Sequence, residues 1–346
     1  MARFGLFRRT PASPPVVGGE GVFAALSPFR LEPKFVSRVW GYRDLRPWYD
    51  RAAEGADTIG EVWLTGDDCL VATGRHAGKS LASLFREESQ ALLGKSAPTS
   101  DSPLLIKVLF AREKLSVQVH PDDTMAQKYG QPRGKTECWY ALAADPGAKV
   151  ALGLKPGVTL DQVKAGIHDG TLEQSLQALP IVKGDLLYVD AGTVHAIWPG
   201  SILLETQQNC DITYRMFDYG RPRELHVEKS LEATKLVTRA GKIAPRALAD
   251  RAILVDEGYF CIERIPVEVS RSSTTLPNPD ETQPGLSYLF AASGSARLNS
   301  PSFQQLDLPA RGILAVPASS PVFAIQDLGG LDLIRISPRW PKPKSA

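Results

Sequence analysis

Hydrophobic and polar positions along most of this chain fall into short runs. Segments 104–110, 115–120, 148–154, 185–190, 201–207 and 212–217 are rich in aliphatic, β-branched and aromatic residues, and Gly, Pro or Asp separates them. Segments 260–266, 287–292, 312–316 and 331–337 repeat the pattern. Many short strands with turn residues between them predict an all-β sandwich or barrel. The strands do not alternate regularly with helices, which disfavours a doubly wound parallel sheet. Two inserts carry a helical period. In 80–94, Leu81, Leu84, Phe85, Leu92 and Leu93 lie near helical spacing and Gly94 is a natural stop. Thr159 with Gln162, and Thr171 with Gln174, make capping-box pairs ahead of apolar faces. Two short helices are therefore expected between 159 and 180, ended by Pro180.

The chain has 346 residues, which at roughly 150 residues per domain suggests about two domains. All five histidines (His76, His120, His168, His195 and His226) precede residue 240. A boundary near 240–250 divides the chain into a first β domain at 19–245 and a second at 246–346. A histidine-based metal site can then lie only in the first. Residues 1–18 are expected to form a flexible tail. Arg3, Arg8 and Arg9 mimic the start of a signal peptide, but residues 10–15 are Thr-Pro-Ala-Ser-Pro-Pro and cannot form its apolar segment. The net charge of +2 lacks the basic excess of a nucleic-acid or polybasic membrane protein. No apolar stretch reaches the roughly 18–20 residues of a membrane helix. Cys69, Cys138, Cys210 and Cys261 lie far apart with no CxxC pair, which points to a reducing cytoplasm.

Chemistry concentrates in three segments. In Leu115-Ser116-Val117-Gln118-Val119-His120, strand alternation puts Ser116, Gln118 and His120 on one face and aliphatics on the other. Such a row lines a wet cavity or faces solvent on a half-exposed strand. Lys135 and Glu137 share a face if 134–140 is extended. The segment from Gly184 to His195 resembles the second cupin motif, with Asp190 where a turn proline is usual and Pro199 where an asparagine is usual. The first cupin motif offers two histidines two apart and then a glutamate. Here Gln118 stands for the first histidine, His120 is the second, and Glu137 follows after a longer insertion. Gln118, His120, Glu137 and His195 together make a nitrogen and oxygen site that suits Zn²⁺ and accepts other divalent first-row metals.

The resemblance then extends beyond the ligands. Phe29-Arg30-Leu31-Glu32-Pro33, Trp40-Gly41, Ile59-Gly60-Glu61-Val62-Trp63, segments 104–110, 114–122, 134–140, 184–195 and 204–215, and Arg223-Glu224-Leu225-His226 follow in order the pattern of type I mannose-6-phosphate isomerases. These are zinc-dependent enzymes built on two cupins. The match is strong over roughly 25–235 and weak over 250–340, and it resembles the shorter bacterial form. It implies an all-β fold of two cupin (jelly-roll) barrels with small helical inserts and one Zn²⁺ per chain in the first barrel. The implied reaction interconverts mannose 6-phosphate and fructose 6-phosphate through a cis-enediol.

By the same resemblance Gln118, His120, Glu137 and His195 would ligate zinc, and Arg215 would steady the developing enediolate. Lys135 and Glu205 would stand around the substrate, where either could take part in proton transfer. Lys107 and Ser116 would hold the phosphate. The expected partner is a small sugar phosphate, with no nucleic acid and no membrane. Oligomeric state is not legible. His76, His168 and His226 have no ligand partner by spacing, and Trp63, Trp139, Tyr140 and Tyr214 read as packing residues. Two other readings share the motifs: a sugar-phosphate-binding cupin without catalysis, or an isomerase of another aldose. A third, an iron-dependent cupin oxygenase, is disfavoured by the Gln ligand.

Overall fold

Alternation of apolar side chains drives the strands into two pairs of antiparallel sheets. The computed structural model describes residues 25–95, 97–267 and 285–340. The expected tail at 1–18 lies outside the described residues. The first pair holds a seven-stranded sheet in the spatial order Gly241–Lys242, Leu186–Val189, Glu137–Ala144, Ser201–Gln208, Leu104–Ala111, Ile59–Trp63 and Lys34–Tyr42. Facing it is a five-stranded sheet in the order Tyr214–Phe217, Val117–Val119, His195–Ile197, Lys149–Leu154 and Leu176–Pro180. The second pair holds a seven-stranded sheet that includes Phe260–Ile265, Ser287–Ser293, Ile313–Val316 and Asp332–Pro338, with a three-stranded sheet of Phe303–Leu308, Ala296–Ser300 and Ala324–Asp327. Jelly-roll sandwiches of this kind are the expected all-β fold.

Four apolar clusters show how the layers stack. One lies inside the first sandwich, between Leu109, Trp139, Leu187 and Leu203 on one sheet and Val150, Leu152 and Ile197 on the other. A second lies inside the second sandwich, around Leu289, Leu314 and Leu333. The largest joins the two seven-stranded sheets back to back: Ile106, Val108, Phe110, Tyr140 and Leu204 meet Phe260, Ile262, Tyr288, Phe290 and Ile334. The seven-stranded sheet of the first sandwich is thus covered on both faces. That is why all eight residues of Leu104–Ala111 are buried. Its even-numbered residues feed the shared core, and its odd-numbered ones, Lys107 among them, point into the first sandwich. The fourth cluster covers the outer face of the five-stranded sheet with Val163, Ile167, Leu172 and Ala233.

Helix Leu81–Leu93 forms as the pattern predicts, with Ser80 accepting from the Ser83 amide and Leu81, Leu84, Phe85 and Leu92 buried in the shared core. Helix Leu160–Asp169 carries the Thr159–Gln162 capping box and stops at Gly170 in left-handed conformation. The second helix expected before Pro180 does not form. Leu172–Ser175 makes one 3₁₀ turn, Thr171 makes no side-chain cap, and Leu176–Pro180 is a strand paired with Lys149–Leu154. The open edge of that strand offers backbone partners that a four-residue helix extension cannot match. Proline, lacking an N–H, is tolerated at the end of such an edge strand. Gly241–Lys242 pairs with Leu186–Val189 of the first sandwich and Arg246–Ala247 with Ala252–Glu257 of the second. The chain crosses between them over 243–245. Phe29–Arg30, within the expected 19–245 segment, pairs with Ile313–Val316 of the second sandwich.

Candidate active site

The two sheets of the first sandwich each present a polar row to the space between them. On the five-stranded sheet, Gln118 lies directly opposite His195 on one side and Arg215 on the other. Cross-strand neighbours on one face sit close enough to act together. On the seven-stranded sheet, Glu205 is flanked by Lys107 and Trp139, and Glu137 starts the same strand as Trp139. Two glycines allow the turns that deliver these groups. Gly192 has φ of +94° and donates its amide to the His120 carbonyl at 2.9 Å, which ties the turn before His195 to His120. At Gly134 an added Cβ would lie 2.5 Å from the Pro121 carbonyl oxygen. The close approach lets the Lys135 amide donate to that same oxygen at 3.0 Å.

His120, Glu137 and His195 are each at most 1% exposed, and one donor atom from each lies within 4.8 Å of the others. His120 Nε2 is 3.6 Å from one Glu137 oxygen and His195 Nε2 is 3.4 Å from the other. His195 Nδ1 donates to the Thr193 carbonyl at 2.9 Å, so Nε2 presents its lone pair to the cluster. Among the described residues, His120 Nε2 and both Glu137 oxygens are buried and meet no donor or acceptor in good hydrogen-bond geometry, although the Glu205 carboxyl lies close to Glu137. Orphaned acceptors so close together fit a cation between them. The Gln118 carboxamide lies 3.1 Å from His195 Nε2, and a half-turn of that amide presents its oxygen to the same point.

The electrostatics agree with that reading. Burial lowers the His195 pKa to about 4, and burial together with Lys135 holds His120 well below its ordinary range. Both rings are neutral at pH 7, the form that binds metal. Burial and the neighbouring Glu205 raise Glu137 well above the usual carboxylate range. Burial also works to raise Glu205, but Lys107 and Lys135 outweigh it and bring it to about 2.

A polar cavity of about 330 Å³ opens beside the cluster, within the size range of small-molecule sites. Lys107, Ser116, Gln118, Lys135, Glu205 and Arg215 all line it. Lys135 Nζ lies 3.4 Å from Glu137. Lys107 is buried between Glu205 at 2.9 Å and Glu61 at 3.8 Å, so its charge already has two partners. Trp139, expected only to pack, also lines the cavity and donates its indole N–H to Glu205 at 3.3 Å.

Sequence reasoning gave no role to several lining residues. Glu61 forks onto Arg38 at 3.0 and 3.1 Å. Asp211 and Thr213 share the face of Arg215 and reach the cavity with it. Arg223 lines the cavity while both its Nε and Nη2 donate to buried Asp218 at 2.6 Å. Alternation within Ile59–Trp63 and within 211–215 could have found Glu61, Asp211 and Thr213. Arg38 and Arg223 reach the site through packing of distant segments, for which no local pattern exists. His76 and His168 stay outside the site: His168 is exposed and His76 lies 3.4 Å from Glu88.

Comparison with known proteins gives a consistent picture. The family model described as phosphomannose isomerase type I, catalytic domain, matches residues 29–153. A mannose-6-phosphate isomerase of Streptococcus mutans is 34% identical over 251 residues, which is 68% of this chain and 77% of that protein. The mannose-6-phosphate isomerase ManA of Bacillus subtilis is 35% identical over 221 residues, 60% of this chain and 68% of that one. The crystal structure of the mannose 6-phosphate isomerase from Bacillus subtilis superposes with a TM-score of 0.78 at 29% identity, over 90% of this chain and 99% of that one.

Proposed function

The chain belongs to the type I phosphomannose isomerases, and from that premise we infer how its cavity performs the family's reaction. It is a mannose-6-phosphate isomerase, an aldose–ketose isomerase that interconverts mannose 6-phosphate and fructose 6-phosphate. Neither a non-catalytic binding protein nor an oxygenase is favoured by these relatives.

The cofactor assigned here is one Zn²⁺ per chain, held by Gln118, His120, Glu137 and His195. Two imidazoles with oxygen donors and no thiolate suit that ion. When bound, it supplies Lewis acidity toward substrate oxygens. The observation that supports the assignment is the convergence of buried His120 Nε2, His195 Nε2 and the Glu137 carboxylate within 4.8 Å of one another, beside the polar cavity that Gln118 and Lys135 line.

The remaining steps fall to side chains. A proton leaves C2, a cis-enediol forms, and a proton arrives at C1. Lys135 and Glu205, both buried and lining the cavity, are the groups assigned to move it. Arg215 offers a permanent positive charge and paired N–H groups to the enediolate oxygens. Ser116 and Lys107 are assigned to the phosphate, and Trp139 and Ile197 give the cavity apolar walls that limit water. Catalysis is assigned to the 19–245 domain, and the described strands of the 246–346 domain pack behind its seven-stranded sheet. The four cysteines are free and buried, which suits a reducing cytoplasm. No helix of the described residues is long and apolar enough to cross a membrane.

A coupled assay for fructose 6-phosphate, run before chelation, after it and after zinc return, tests the assignment. Activity is expected to vanish and recover. Folded, zinc-loaded protein that converts no mannose 6-phosphate would sink it.

A further inference from the structure

The Arg223-Glu224-Leu225-His226 stretch takes no part in the chemistry assigned above, yet three of its groups converge on Arg215. Among the described residues, strand Tyr214–Phe217 is the edge of the five-stranded sheet and pairs on one side only, with Val117–Val119. An edge strand turns a row of backbone N–H and C=O groups away from the ladder. At Arg215 both are taken by His226. The ring Nδ1 accepts the Arg215 amide N–H at 3.1 Å, and the His226 amide donates to the Arg215 carbonyl at 2.8 Å. The third bond holds the side chain: Arg215 Nη1 donates to the Glu224 carbonyl at 2.8 Å.

The segment making these bonds is itself anchored at both ends. Arg223 is forked onto buried Asp218. His226 opens helix Val227–Ala233, and its carbonyl accepts the Ser230 amide at 2.8 Å. The His226 side chain makes no capping bond to that helix. Its acceptor goes to Arg215, a residue 11 positions earlier in the chain. Burial lowers the His226 pKa, with Glu224 opposing and Arg215 reinforcing, so the ring is in the neutral form an accepting Nδ1 requires.

We propose that His226 is a positioning residue for the isomerisation: it stands in for a missing strand at the sheet edge and so fixes the backbone that aims the Arg215 guanidinium into the cavity. The proposal rests on the assignment of Arg215 to the enediolate. It predicts a defect in turnover without a defect in metal binding.

Zinc-loaded His226→Phe, His226→Asn, Arg215→Ala and the Arg215→Ala/His226→Phe double variant test it. Phenylalanine keeps the ring and removes the acceptor. The Asn amide oxygen can occupy the place of Nδ1. His226→Phe is expected to lower kcat on the order of tenfold to a hundredfold, the scale of a displaced catalytic group. KM for mannose 6-phosphate, zinc content and thermal midpoint should stay near wild type. His226→Asn should recover most of the lost turnover. In the Arg215→Ala background His226→Phe should have no further effect, because groups acting through one another are not additive. Should the Phe variant fail to fold, His226→Leu takes its place. Wild-type kcat in the acceptor-less variant, equal impairment of Phe and Asn, or additivity with Arg215→Ala would each overturn the proposal alone. A fully active Arg215→Ala would instead overturn the assignment of Arg215, and the proposal with it.

Discussion

Lys107, assigned above to the phosphate, is also a buried charge held by its neighbours. Its ammonium sits between Glu205 and Glu61 with 4% of its surface exposed. Burial alone would lower its pKa, yet the two carboxylates raise it above the ordinary lysine value. Replacing it by Met keeps the stem but takes the ammonium 2.9 Å away from buried Glu205, while Glu61 keeps Arg38. Lys107→Met should therefore lower unfolding stability by roughly 3–5 kcal/mol, read from urea titration of metal-free protein, and raise KM for mannose 6-phosphate. Adding Glu205→Gln should restore part of the stability and none of the turnover. A variant with higher KM and unchanged stability would show that phosphate binding is the only task of Lys107. The histidines make a second prediction, with the opposite sign of pKa shift. His195 is fully buried and its pKa falls to about 4, against about 6.5 in the unfolded chain. Above 6.5 neither state is protonated. Between 6.5 and 4 the unfolded chain takes up a proton that the folded protein refuses, so stability falls as pH falls, by about 3 kcal/mol in all. Chelated wild type should lose more stability over that window than chelated His195→Gln. Parallel pH curves would contradict it.

At the scale of elements, close backbone approach is what seats Lys135 beside Glu137. The Gly134 amide donates to Asp123 at 2.8 Å, and its Cα faces the Pro121–Asp122 backbone with no room for a methyl group. Gly134→Ala must push the start of strand Glu137–Ala144 off the turn after His120. Zinc content and turnover should both fall in the folded variant, with the far-UV spectrum retained. Normal zinc binding in Gly134→Ala would mean that the turn yields without moving Glu137. Elements like this strand were legible because their information is local. Period-two alternation puts Ser116, Gln118 and His120 on one face, and it does the same for Lys135 and Glu137, whatever lies elsewhere. Capping residues marked Leu81–Leu93 and Leu160–Asp169 for the same reason. Leu176–Pro180 was misread as helix because its state depends on the free edge of Lys149–Leu154, 22 or more residues away. Arg38 and Arg223 were not legible as cavity residues, since only the packing of distant segments brings them there. The apolar run at 104–106 and 108–110, broken only by Lys107, did carry a signal of two-sided burial. Its second partner, the back of another sandwich, was beyond local pattern.

At the scale of the molecule, the shared core decides how the two sandwiches respond to the metal. Phe260, Ile262, Tyr288, Phe290 and Ile334 of the second pack on Ile106, Val108, Phe110 and Tyr140 of the first, nearly all under 3% exposed. Each such side chain contributes roughly 1.5–3 kcal/mol by burial, so separating the halves exposes a large apolar surface on both. Phe29–Arg30 adds a covalent tie, since the chain leaves the second sheet to begin the first. The second sandwich has its own buried polar centre, where Arg335 donates to Glu263 at 2.7 Å and Arg251 meets the other oxygen at 2.8 Å. That centre lies on the far side of the shared core from His120, Glu137 and His195. A ligand that binds only the folded state raises the stability of whatever unfolds with its site. If the halves unfold together, calorimetry should show a single transition that moves upward as a whole on zinc loading. Glu263→Ala, which removes the buried carboxylate that both Arg335 and Arg251 bind, should pull that whole transition down by roughly 3–5 kcal/mol, while turnover per folded molecule at low temperature stays at the wild-type value. Two resolved transitions, with zinc moving one and Glu263→Ala the other, would mean that the shared core is an interface between independent units rather than part of one cooperative structure.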